Sequence, residues 1–247
     1  MENSHKISCI ITLYNRQEFI NNAIECVVKQ SLKPHEIIIV DNSSQKINIQ
    51  DKFLDKIKIF KIIPDAGIAQ ALNFGVSVAE GNYISFLEDD DIWPENYLEN
   101  IYSKDYLNYN YIVTPIRKLK DGLISDYKNP KNKIDLDTLL LSNPGVNISN
   151  LSVKRNSFFE VGGFDLDLIT SVDKSLIIKF ILNNFKNNVC EKVSIIKRFH
   201  NNNYTFRPKI FLKNLRKFYF KYKHLMSLKM KIKFLKKYLY YKFIKNV

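Results

Sequence analysis

The chain has 247 residues, 45% of them hydrophobic and 13% aromatic, which suits one large domain with a full core and excludes a disordered chain. Its three cysteines, Cys9, Cys26 and Cys190, are an odd and scattered set, so neither a disulfide framework nor a CxxC metal site is expected, and a reducing cytoplasm is. The net charge of +13 is unevenly spread: all 25 acidic residues lie at or before Glu191, while residues 192–247 hold 17 of the 38 Lys/Arg and no acid.

Lys6–Leu13 is rich in β-branched residues and predicts a strand. Residues 16–30 then place Phe19, Ile20, Ala23, Ile24, Val27 and Val28 on one helical face. Glu36–Val40 reads as a short buried strand that ends in a polar turn, Asp41-Asn42-Ser43-Ser44. A strand over 57–63, a helix carrying Ile68, Leu72, Val76 and Ala79, and a strand over 83–87 continue the alternation. This order predicts an α/β fold with a mostly parallel sheet, whose ligands sit beyond the carboxyl ends of the strands.

The last of these strands runs straight into Glu88, Asp89, Asp90 and Asp91, ahead of Trp93-Pro94. Four adjacent carboxylates repel one another, so something positive must sit there. The glycines form no GxGxxG and no GxxxxGK[ST], which disfavours a Rossmann dinucleotide site and a P-loop. Phosphates here would need a metal, and a hard divalent cation such as magnesium or manganese takes the oxygens an acid run offers. In an extended chain Glu88 and Asp90 would share one side and Asp89 and Asp91 the other. The alternative is that the acids cap the next helix, a role expected above all of Asp91.

Four segments in this order, IITLYNR (10–16), EIIIVDNSS (36–44), GIAQALNFGVSVAEGNYISFLEDDDIWPE (67–95) and VGGFD with VDKSL (161–165, 172–176), resemble the bacterial family 2 glycosyltransferases of the GT-A fold. The resemblance covers roughly residues 6–205. It implies a mixed, mostly parallel sheet flanked by helices, and an inverting transfer of a sugar from a nucleotide diphosphate donor, with a UDP-sugar favoured, to a hydroxyl. A divalent metal, Mg or Mn, is implied as cofactor. Thr12, Tyr14 and Asn15 match the loop against the nucleoside, with Tyr14 as the stacking surface, and Asp41 and Asn42 match the acid pair that contacts the base. Glu88, Asp89 and Asp90 stand at the DxD, with Asp90 at the metal ligand. Asp173 matches the catalytic base. His200, in RFHNNNYT, resembles a late histidine near the metal or diphosphate, with an ordinary surface or core histidine as the other reading. Gly162-Gly163 are expected to form a tight turn, Phe164 to pack and Asp165 to be structural.

The departures bear on the same site. Glu88 replaces the first Asp of the DxD, and Asn42 replaces an acid, leaving a carbonyl oxygen as the uracil acceptor. Val172 and Ser175 stand where relatives have acids, and Leu72 where many carry Arg. These changes motivate an alternative function, a non-catalytic nucleotide-sugar or glycan-binding subunit.

The basic segment divides the chain into an expected glycosyltransferase domain (1–207) and a basic amphipathic helical tail (208–247). Phe211, Leu215, Phe218, Tyr222 and Leu225, then Leu228, Ile232, Leu235, Leu239 and Phe243, recur at helical spacing among lysines and arginines. Such a pattern suits an anionic membrane surface, and packing on the body is the other reading. No recognised nucleic-acid module accompanies the charge, so nucleic acid is not an expected partner. No apolar run approaches the ~18 residues of a membrane span, and MENSHKISCIITLYN lacks signal-peptide order. The expectation is an enzyme peripheral on the cytoplasmic face of a bacterial plasma membrane, acting on a glycan or lipid-linked acceptor in surface polysaccharide or lipooligosaccharide synthesis. An oligomer is compatible with this reading. Acceptor contacts are expected in the segments 117–150 and 197–210.

Overall fold

A computed structural model of the chain describes residues 5–130, 134–200 and 208–244. The β-branched runs form the parallel half of a seven-stranded sheet: β1 (Ile7–Leu13), β2 (Glu36–Asp41), β3 (Lys58–Lys61) and β4 (Tyr83–Glu88) lie in the order β3-β2-β1-β4. The crossovers are α1 (Gln17–Val28), running from β1 to β2, and α2 (Ile68–Val78), running from β3 to β4. Each of these elements matches its sequence expectation within a few residues.

Every residue of β1 is buried, and the period of two sends alternate side chains to opposite faces. Ile10, Ile38, Val40 and Phe86 join a core cluster with α2. Cys9, Ile11, Ile37 and Ile39 join another with α1. Gly75 sits inside α2 because the helix rides directly on β1: a Cβ there would lie 2.6 Å from a methyl of Ile10.

After α3 (Tyr97–Ile101) the chain supplies β5 (Tyr111–Val113) and the hairpin strands β6 (Ile116–Lys120) and β7 (Leu123–Lys128). Then follow α4 (Leu136–Leu141), β8 (Leu151–Lys154), α5 (Arg155–Glu160), α6 (Val172–Leu182), β9 (Asn187–Val189) and β10 (Ile195–Arg198). β8 is antiparallel to both β4 and β5, and β9 closes the far edge parallel to β5. β10 pairs with β6 in a separate three-stranded sheet, and one bridge, Ile92 to Ile196, draws β10 onto the acid run.

The basic extension folds as α7 (Pro208–Tyr222) and α8 (Leu228–Leu239), the latter started by Ser227, whose hydroxyl accepts the Met230 N–H at 3.3 Å. The two helices run antiparallel, with Phe211 against Tyr241 at 4.6 Å and Tyr219 against Phe234 at 5.1 Å between ring centroids. Leu215, Phe218, Tyr222, Met226, Met230 and Phe234 are buried in the cluster that holds α2 and α6. The division at residue 208 is therefore one of charge: in packing, the extension belongs to the body, because its apolar stripe covers core that would otherwise face water.

Phe218 is 2% exposed, whereas Leu235 is 56% exposed. Phe218→Ala should lower unfolding free energy by ~3–5 kcal/mol and Leu235→Ala by less than ~0.5 kcal/mol, both measured by denaturant titration.

Candidate active site

The strand ends Leu13 and Glu88 and the turn residue Asn42 open onto a pocket of about 500 Å³, at the carboxyl edge of the parallel strands. Opposite them the wall is the loop Leu166–Ser171 and the first turn of α6. Gly162 and Gly163 launch that loop with φ of 74° and 63°, and a Cβ on Gly163 would meet the Asn73 oxygen at 2.7 Å. Phe164 packs in the core as expected. Asp165 is structural, holding Lys179 at 3.0 Å and Lys221 at 3.1 Å and accepting from Ser175 and Tyr222. The loop is braced from α7, where the buried Asn214 carboxamide oxygen accepts the N–H groups of Ile169 and Thr170 at 2.9 and 3.0 Å.

Cations from two distant segments lie against the acid run, while burial pushes the Asp89 and Asp91 carboxyls up to about 7. Arg16 meets Asp89 at 2.6 Å and Asp90 at 3.1 Å, and Asp89 also accepts the Tyr14 N–H at 2.9 Å. Lys197, on β10, meets Glu88 at 3.3 Å and Asp91 at 3.7 Å. His200 Nε2 lies 2.9 Å from Asp90. The expected alternation of 88 with 90 and 89 with 91 is corrected: the chain turns, Asp91 N–H donating to the Glu88 carbonyl at 3.2 Å, so the acids pair 88 with 91 and 89 with 90.

The capping role of Asp91 is corrected too. Its carboxylate is 1% exposed and accepts from Ser149 Oγ at 2.6 Å and the Arg198 N–H at 3.1 Å, while α3 begins later, behind Asn96. Burial opposes the charge on Asp90, but His200, Arg16 and Lys197 outweigh it and hold that carboxyl below its ordinary range. Burial likewise opposes the Arg16 charge, and Asp89 and Asp90 override it, keeping the guanidinium firmly protonated.

Thr12, Tyr14, Asn42, Glu88, Asp89, Asp90 and Asp173 all line the pocket. Asn15 and Asp41 are not among its lining residues. Asn15, at φ 53°, donates its N–H to Ser43 Oγ at 2.9 Å and ties the β1 loop to the β2 loop. Asp41 accepts from the Ser43 N–H and Lys61 Nζ, both at 2.8 Å. The Asn42 carbonyl oxygen, expected to face a base, already accepts the Ala66 N–H at 3.1 Å. The Tyr14 hydroxyl donates to Asp65. Leu72 is core. Of RFHNNNYT, residues 201–205 lie outside the described residues.

Asp173 stands in the first turn of α6, entered through Ser171 at φ 62°, and accepts the Lys174 N–H at 2.7 Å. Burial raises its carboxyl to about 6, against the pull of that N–H and the Lys174 charge. A buried carboxyl that titrates near neutrality beside a cleft is equipped to accept a proton.

Sequence reasoning missed Arg16, Lys197, Ser149, Asn214 and Asn147, whose side-chain amide donates to Glu88 at 3.1 Å. Arg16 closes the IITLYNR segment but was given no role there. Lys197, 109 residues from Glu88, had no local signal and becomes visible only when β10 reaches the strand end.

Residues 8–166 match the family described as Glycosyl transferase family 2. The chain is a family 2 glycosyltransferase. Among curated relatives, glycosyltransferase GlyG of Streptococcus pneumoniae is 34% identical over 106 residues, spanning 41% of this glycosyltransferase and 35% of that protein. An uncharacterised glycosyltransferase of Haemophilus influenzae is 22% identical over 182 residues, with 71% and 62% covered. The chain thus spans less than two thirds of the length of these relatives. The S. aureus TarS structure in complex with UDP-GlcNAc superposes with TM-score 0.68 at 17% identity, over 96% of this glycosyltransferase and 72% of TarS. GalNAc-T7 with UDP, GalNAc and Mn2+ gives 0.64 at 17% identity, over 81% and 45%. The fold is GT-A, with a mostly parallel sheet between helices.

Arg16→Met should leave Asp89 and Asp90 buried without their main counter-charge and lower stability by ~3–5 kcal/mol. Because the freed carboxylates can then take up protons, the deficit should be largest above neutral pH and shrink toward acid; melting curves from pH 5 to 8 measure this.

Proposed function

We propose that this glycosyltransferase moves a sugar from a nucleoside diphosphate donor, a UDP-sugar, onto a hydroxyl of a glycan or lipid-linked acceptor at the cytoplasmic face of the bacterial membrane, in surface polysaccharide or lipooligosaccharide synthesis. The observation that carries the reading is one pocket with two kinds of carboxylate. Asp90 is held charged by His200, Arg16 and Lys197 on one wall, where Glu88 meets Lys197 at 3.3 Å, and Asp173, raised to about 6, stands on the other. UDP, UDP-GlcNAc and Mn2+ in the complexes of the structural neighbours support the donor class and the cation.

In this reading Thr12, Tyr14 and Asn42 border the nucleoside and Glu88 the ribose, while Asn15 and Asp41 support the donor loop from behind. The pocket fits a hard divalent cation through the chemistry of its donor set: Asp90 with His200 beside it, and Glu88, supply two carboxylates and an imidazole. Among the described residues no three acidic, histidine or cysteine side chains converge as a ready-made cage, so donor phosphates would complete the shell. When bound, magnesium or manganese would supply neutralisation of the diphosphate. Lys197, its charge held by Asp91 and Glu88 despite burial, adds a fixed cation on the same wall.

Asp173 takes the proton of the acceptor hydroxyl as the oxygen attacks the anomeric carbon. The C–O bond to the diphosphate breaks on the opposite face, and the configuration inverts. Deletion of the base costs ~10²–10⁴ in rate. The altered acids Glu88, Val172 and Ser175 do not by themselves favour a binding-only subunit: Ser175 serves the Asp165 brace, Val172 is core, and Glu88 keeps a carboxylate on the pocket.

Asp173→Asn should retain UDP affinity by calorimetry and lose at least ~10² in donor turnover. Wild-type kcat/KM should fall as pH drops through about 6, when Asp173 is protonated. The same variant should be more stable than wild type at pH 8 by up to ~3 kcal/mol. The sign follows from a folded carboxyl raised above its ordinary range: ionisation weakens the fold as pH climbs to about 6, and the amide removes that cost, so the two proteins should converge near pH 4. Asp90→Ala should abolish manganese-dependent UDP binding in calorimetry without loss of fold; unchanged affinity would remove Asp90 from the site.

A further inference from the structure

α8 carries two apolar stripes where a helix lying on a globular body needs one. Met230 and Phe234 point inward and are buried, with Tyr238 half-buried on the same side. Leu228, Ile232, Leu235 and Leu239 repeat at intervals of four, three and four residues on a different face and are 74%, 49%, 56% and 41% exposed. A single exposed leucine is ordinary; four in register along one helix form a continuous apolar ridge. The ridge is flanked by the exposed Lys229, Lys233 and Lys236 on one side and by Lys231 on the other. Beyond the helix, Phe243 is 64% exposed with Lys242 over its ring at 5.0 Å.

We propose that this outer face of α8 docks onto an anionic lipid bilayer, lying in its interface. The inference gives the membrane association proposed above a surface, and rests on that part of the reading but not on the sugar chemistry. Charge selects the occupant. Residues 192–247 contain no acid, so a second copy meeting this face about a two-fold axis would set lysine against lysine. A nucleic acid would engage the ammonium groups and leave the leucine ridge in water. An anionic bilayer satisfies both, taking the ridge into its acyl boundary while the lysine stems reach the headgroups. Among the described residues no helix is long and apolar enough to cross a membrane, so the helix lies on the surface. Its 12 residues present a contact line of ~18 Å.

The test is vesicle sedimentation of the full-length protein, without donor, on phosphatidylcholine vesicles and on vesicles with added phosphatidylserine. Wild type should bind the anionic vesicles and bind neutral ones poorly. Ile232→Glu with Leu235→Glu should weaken binding at least ~10-fold while leaving melting temperature and UDP affinity unchanged, since both side chains already face water. Lys229→Gln, Lys233→Gln and Lys236→Gln should each cost about fivefold and flatten the salt dependence. Binding of the double-glutamate variant equal to wild type would overturn the assignment of this face. Absence of wild-type binding to any vesicle would overturn membrane association itself, and a dimer by light scattering that the double variant abolishes would make the face a contact between copies. None of these outcomes bears on UDP affinity, which is measured separately.

Discussion

Four adjacent carboxylates at the end of a buried strand lean on positive charge delivered from afar, and burial still pushes two of them, Asp89 and Asp91, up to about 7. Arg16 follows β1, Lys197 lies on β10 and His200 just past it, and each reaches the run only after the sheet has formed. The site and the fold are therefore one electrostatic unit. Ordering β4 without β10 would leave Glu88 and Asp91 without Lys197, and the bridge from Ile92 to Ile196 holds the two segments in register. The dense local charge also gives the pocket a preorganised field, with two fixed cations beside the carboxylates.

The pocket's second wall is built on a different principle. Loop 166–171 follows two left-handed glycines, Gly162 and Gly163, and ends at a left-handed Ser171, so its path is set by backbone geometry on both sides. Between them it is held by Asn214 from α7. Asp173 gains its raised carboxyl by burial on this wall, with no acidic neighbour in its helix turn to help it.

The parallel strands and their crossovers were legible in the sequence because periodicity and burial agree there: β1 is buried at all seven positions, and α1 and α2 show clean apolar faces. Of the residues that motif order singled out, Thr12, Tyr14, Asn42, Glu88, Asp89, Asp90 and Asp173 line one pocket, and Asn15 and Asp41 do not. What could not be read was partnership across long separations. Nothing near Lys197 marks it as the partner of Glu88, and the even spacing of the acids suggested alternating faces until the turn at residues 88–91 paired them otherwise. The basic extension left two readings open, a membrane surface and packing on the body, and part of its apolar stripe packs: Phe218, Tyr222 and Phe234 are core.

The Asn214 brace has a consequence for how such enzymes diversify. A C-terminal segment that merely followed the catalytic body could be exchanged between relatives like a handle, altering location without touching chemistry. Here one carboxamide on α7 fixes two backbone amides of the loop that walls the pocket, and Lys221 on the same helix grips Asp165 at that loop's root. Pocket wall and C-terminal helix are thus a single heritable part, and recombination between them at residue 207 would cut through the pocket's own scaffold.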